Sequence, residues 1–111
     1  MGQKLGYGER AAAARTVQIV FLSRARADLD RLRNFLAPHG ESLSARAVDT
    51  LFAAAYSLVD HPKRGRPATR GGYRELVVPF GGGAYVIRSR VDQRRNTVVI
   101  TRLWHGREQR S

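Results

Sequence analysis

The apolar pattern of this chain changes period once, and that change restricts the fold. Between residues 24 and 59 apolar side chains recur every three or four positions, and from residue 73 onward they alternate. The first spacing makes a stripe along a helix; the second makes one face of a strand. Stripe and face both need cover, and 111 residues hold one modest core to supply it. Helices and sheet must therefore pack on each other.

The elements follow in order. Val17 to Leu22 is short, β-branched and apolar, which predicts a strand, with Ser23 as the N-cap of a helix over 24–37. Ala25, Leu29, Leu32 and Leu36 form its apolar stripe, and Asp28, Asp30, Arg31, Arg33 and Asn34 fill the other face. Pro38 and Gly40 end it. A second helix is predicted from Ser42 to Val59, with Leu43, Ala47, Leu51, Ala54, Ala55 and Leu58 as its stripe. The short link makes the two an antiparallel hairpin. The Pro- and Gly-rich segment 60–67 reads as a loop. Strands are predicted over 73–80, 84–91 and 97–104, separated by Gly81-Gly82-Gly83 and by a turn at 92–96. The fold class is α+β: a β-α-α-β-β-β order, with a helical hairpin on one face of a small, twisted, mainly antiparallel sheet. Residues 17–109 make the single domain. Residues 1–16, rich in Gly and Ala and without an apolar segment, read as a flexible N-terminal extension.

Charge divides as the pattern does. Residues 61–111 hold twelve Lys and Arg against three Asp and Glu; residues 1–60 hold eight against six. Most of the net +11 therefore falls on the strand-forming part, which predicts a polyanionic or acidic partner. There is no cysteine, which removes thiol chemistry and disulfides and fits a reducing cytoplasm. The longest apolar run, Leu51 to Val59, falls far short of the ~20 residues of a membrane span.

Candidate functional residues are the strand and strand-end cations. Arg74, Arg88, Arg90, Arg102 and Arg107 offer planar forks suited to phosphate or carboxylate. Arg88 and Arg90 share one face by period two. His105 carries an imidazole, a side chain suited to acid–base work, although a lone histidine at a strand end is more often a packing residue. Tyr85 belongs to the core; Trp104 is able to stack on a base. The three histidines lack metal-ligand spacing, so neither metal nor cofactor is expected. Gly81-Gly82-Gly83 lacks the ending of a phosphate loop, and no serine has a triad partner in view.

Several short motifs, in order, resemble the ParE branch of the RelE/ParE toxin superfamily. They are Ala25-x-x-Asp28-Leu29, His61-Pro62-x-x-Gly65-Arg66, Tyr73-Arg74-Glu75-Leu76, the strand Tyr85 to Val91, and Arg102-Leu103-Trp104-His105-Gly106-Arg107-Glu108-Gln109. The resemblance implies the fold read above. It also implies a cytoplasmic type II toxin, of the plasmid-stabilisation kind, neutralised by a small acidic ParD-like antitoxin. The ParE branch poisons DNA gyrase; the RelE branch cuts mRNA on the ribosome. This chain departs from the RelE pattern in two places: Val86 stands where a RelE strand has arginine, and no tyrosine follows Tyr85. Ser89 replaces an aromatic residue common in the superfamily. The expectation is therefore a gyrase inhibitor without chemistry of its own, using Arg74, Arg88, Arg90, Arg102, His105 and Arg107 to bind target or antitoxin. The alternative is a ribosome-dependent mRNA endonuclease, with His105 as acid–base group beside Arg74, Arg88 and Arg107. A plain nucleic-acid-binding module is a third reading.

Overall fold

A computed structural model of the chain describes residues 17–68 and 71–108. The expected N-terminal extension lies outside them, as does Gln109 of the last motif. The elements are β1 (Gln18–Phe21), α1 (Ser23–Leu36), α2 (Glu41–Tyr56), β2 (Arg66–Pro67), β3 (Arg74–Phe80), β4 (Gly83–Asp92) and β5 (Thr97–His105). Short 3-10 turns follow each helix, at Ala37–His39 and Ser57–Val59. The α+β hairpin-on-sheet architecture is the one expected.

Local details differ from the expectation. Ser23 is the first residue of α1 and not its cap; Leu22 holds the cap position, with no side-chain cap bond. The second helix begins at Glu41, after Gly40 has turned the chain at a φ of 118°. It gives way to the 3-10 turn three residues before the expected end. The expected loop contains β2, two residues paired with β3. Asp28, assigned to the polar face of α1, is buried with Ala25, Leu29 and Leu32.

The five strands lie in the order β1-β5-β4-β3-β2. β1 runs parallel to β5, and every other pairing is antiparallel. Parallel neighbours need a crossover, and the two helices belong to that connection. They cover one face of the sheet. Ala25, Leu29 and Leu32 of α1 and Ala47, Leu51 and Ala55 of α2 meet Leu76, Val78, Tyr85, Ile87, Val98, Ile100 and Leu103. Both sheet edges are short strands, which limits edge-to-edge pairing.

One irregularity decides how β5 is used. Arg88 pairs with Arg102 but Ser89 pairs with Ile100, so Thr101 is an extra residue, a β-bulge. Its hydroxyl donates to the Arg88 carbonyl at 3.2 Å. The bulge lets Ile100 and Leu103, three positions apart, both face the helices. Arg102 and Trp104 then fall on the opposite face, beside Arg88 and Val86.

Candidate functional site: the basic sheet and its C-terminal turn

β1 ends at Phe21, and its last partner on β5 is Ile100. Beyond that point no strand among the described residues lines the outer edge of β5, and α1 takes its place. The Asp28 carboxylate accepts the Leu103 backbone N–H at 2.8 Å, Arg102 Nε at 2.8 Å and Arg31 Nη1 at 2.7 Å. Burial alone would raise its pKa, but the bonds from Arg102, the Leu103 amide and Arg31 outweigh it and hold the carboxyl below its ordinary value.

The turn after β5 is bound to the same hub. Glu108 accepts Arg31 Nη2 at 3.0 Å and the His105 amide at 2.7 Å. Burial opposes its ionisation, and these two bonds prevail, so its pKa is also lowered. Arg31 thus ties two carboxylates from opposite ends of the domain. The Gly106 amide donates to the Ala84 carbonyl at 2.8 Å. His105 Nδ1 accepts the Arg107 amide at 3.1 Å, which places the ring proton on Nε2 in the neutral form. The ring stands edge-on to Tyr85, with centroids 5.2 Å apart. A Cβ on Gly83 would lie 3.0 Å from Nε2, so the β3–β4 turn closes over that nitrogen.

The sheet arginines occupy different places. Arg88 bonds Glu75 Oε2 through Nη2 at 2.9 Å, and its guanidinium lies 5.1 Å from the Trp104 ring centroid. Trp104 is buried there. Arg90 follows Arg88 on the same face. Arg74 pairs with Ser89 across β3–β4 and donates to the Gly65 carbonyl at 3.2 Å. Arg102 is engaged by Asp28, and Arg107 lines a groove with Phe35, Leu43, Phe80, Gly83 and His105.

The structure does not gather the residues of the alternative catalytic set. His105 pairs with Tyr85, which faces the helices, whereas Arg88 lies on the other side of the sheet. Arg74 sits four residues further along β4 than His105, about 13 Å at ~3.3 Å per residue. Arg107 is the member that stays near His105. Sequence reasoning gave no role to Asp28, Arg31, Glu108 or Lys63. Asp28 was open to detection, since it sits at the margin of the apolar stripe, next to Leu32 on the helix wheel. Glu108 was not, because its partner lies 77 positions away. Among the described residues no three His, Asp or Glu side chains gather as a metal site, and no helix is long and apolar enough to cross a membrane.

Comparison with known proteins decides the family. Residues 19–110 match the model of the family described as ParE toxin of type II toxin–antitoxin system, parDE. The chain belongs to the ParE toxin family. Among curated relatives, Toxin RelE1 of Caulobacter vibrioides is 41% identical over 98 residues, covering 86% of this chain and 99% of that one. Toxin RelE3 of the same organism is 39% identical over 87 residues, covering 78% and 91%. Among solved structures, the chromosomal ParDE system of P. aeruginosa superposes with a TM-score of 0.70 at 20% identity, covering 82% of this chain and 97% of that one. The toxin–antitoxin complex RelBE2 of Mycobacterium tuberculosis gives 0.55 at 28% identity, covering 82% and 92%. The ParE-family fold is thus shared with proteins named for both branches of the superfamily.

Proposed function

We propose that this ParE-family toxin acts by binding DNA gyrase and that a small acidic ParD-like antitoxin neutralises it. The observation that carries the reading is the separation of His105 from Arg88 by the thickness of the sheet. A phosphodiester cutter needs its proton shuttle and its charge stabiliser around one phosphate. Here the shuttle candidate is packed on Tyr85, and Arg88 and Arg102 are paired with Glu75 and Asp28. A binding inhibitor needs only a shaped surface. For the antitoxin, the groove of about 330 Å³ between the helical hairpin and the β3–β4 turn offers Phe35, Leu43 and Phe80 beside Arg107. An acidic amphipathic segment fits this combination.

The second reading, a ribosome-dependent mRNA endonuclease, draws support from the relatives named RelE1 and RelE3. One pair of assays separates the two. With purified gyrase, the toxin is expected to stop supercoiling and to accumulate cleaved DNA, and His105→Ala is expected to retain both effects. With ribosomes and mRNA, no cleavage is expected. Unchanged supercoiling, together with mRNA cleavage that His105→Ala or Arg88→Ala abolishes, would transfer the assignment to the endonuclease.

A further inference from the structure

The groove proposed above for the antitoxin has two walls from distant parts of the chain. Phe35 on α1 and Leu43 on α2 belong to one; the β3–β4 turn, His105 and Arg107 belong to the other. The groups that tie these walls together lie outside the groove. Arg31 stands four residues before Phe35, one turn back on the same side of α1. From there it reaches the turn that follows β5. Its Nε donates to Glu108 Oε2 at 3.2 Å and its Nη2 to Glu108 Oε1 at 3.0 Å, a two-pronged pair. Arg31 is itself braced, because its Nη1 donates to Asp28 at 2.7 Å. Neither Arg31 nor Glu108 lines the groove.

Glu108 passes this constraint on to the groove. Its Oε1 accepts the His105 amide at 2.7 Å, and its own amide donates to the His105 carbonyl at 2.8 Å, so residues 105–108 close on themselves. Inside that loop the Arg107 amide donates to His105 Nδ1 at 3.1 Å, which orients the imidazole. Gly106 is pressed on β4: a Cβ there would lie 3.2 Å from the Ala84 carbonyl oxygen. The side chains of Arg31 and Glu108 are 43% and 34% exposed, and pairs so open to water add little to folding stability. What the pair does contribute is geometric. It orders one wall against the other in the free toxin, and order already present need not be imposed by a ligand. Positive charge for an acidic ligand comes from Arg107 in the groove and from Arg46, whose guanidinium lies 6.0 Å from the Phe80 ring centroid. By charge alone Glu108 opposes an acidic ligand; by geometry it favours one. The two effects have opposite signs and can be told apart.

We propose that Glu108, acting through Arg31 and His105, is a positioning residue that sets the groove for an acidic antitoxin segment before the segment arrives; this rests on the groove being the antitoxin site. The full-length cognate antitoxin is mixed with full-chain toxin variants, and association and dissociation rates are measured separately. Glu108→Ala removes a negative charge, so electrostatics alone predicts tighter binding. Positioning predicts binding weaker on the order of tenfold, mostly through faster dissociation. Glu108→Gln removes the same charge but keeps an oxygen for the His105 amide, and should weaken binding only about threefold. In the free toxin, hydrogen exchange at the His105 and Arg107 amides should quicken in Glu108→Ala, with a thermal melt close to the parent's. If Glu108→Ala melts lower, Glu108→Gln carries the comparison. Binding of Glu108→Ala as tight as the parent's or tighter, equal gains in both variants, or unchanged exchange at His105 and Arg107 would overturn the role. Phe35→Ala reports on the groove itself. Antitoxin binding unchanged in Phe35→Ala would remove the groove as the antitoxin site, and the role of Glu108 with it. Binding weakened by Phe35→Ala but not by Glu108→Ala would remove the positioning role alone.

Discussion

Asp28 is the residue on which the most structure depends. Its carboxylate, on a side chain 5% exposed, takes the place of a neighbour strand at Leu103 and neutralises Arg102 and Arg31. Removing it leaves the buried Leu103 amide and Arg102 without this acceptor, while Arg31 keeps Glu108. Asp28→Ala is expected to cost about 3 kcal/mol, toward the low end for a broken buried pair because both arginines reach solvent. Asp28→Asn should recover part of that, since its carbonyl oxygen still accepts. Urea unfolding checks both. The folded pKa of Asp28 lies below its unfolded value near 3.9. The unfolded chain therefore takes up the proton first as pH falls. The stabilisation is complete well above pH ~4 and fades below it, toward the folded pKa. Glu108 adds to the same acid limb. Stability measured from neutral pH down to about pH 3 should fall less steeply in Asp28→Asn than in the parent; equal slopes would remove Asp28 as a cause.

At the scale of elements, glycine positions govern how the loop before β2 meets the sheet. Gly65 has a φ of 100° and no room for a methyl group against β3. Gly65→Ala should destabilise the domain by about 1–3 kcal/mol through backbone strain and displacement of the loop. A drop in the urea midpoint with an unchanged m-value would identify a local effect. The helices, the hairpin link and the three long strands were legible because their periodicity is local. The pairing of β1 with β5 was not legible, since it joins segments about 80 residues apart. The bulge at Thr101 was hidden too. Strict alternation would put Ile100 and Leu103 on opposite faces, and the extra residue puts both inside.

For the whole molecule, charge is sorted twice. The sequence shows an excess of cations in the second half; the fold then pairs some of them and leaves others outside ion pairs. Arg88 and Arg102 face Glu75 and Asp28, while among the described residues Lys63 and Arg90 take part in none of the ion pairs. With a net charge of +11, association with the acidic antitoxin proposed above should be steered over long range. Stopped-flow mixing should show an association rate that falls on the order of tenfold or more between low and high salt, with a dissociation rate that changes little. A dissociation rate carrying most of the salt effect would instead place the charge pairs in the buried centre of that interface.

The sequence alone determined the two helices, the strands, the α+β class and the segregation of charge, because each depends on residues close together in the chain. Its short motifs pointed to the toxin superfamily for the same reason. Only the tertiary structure decided which cations are engaged and which are available. That outcome depends on which strand lies beside which and on which side of the sheet a side chain emerges. Asp28 on α1 meets Arg102 on β5 across 74 positions, and His105 and Arg88 stand on opposite faces of adjacent strands. A one-residue bulge sets that placement, and residue spacing along the chain carries no record of it.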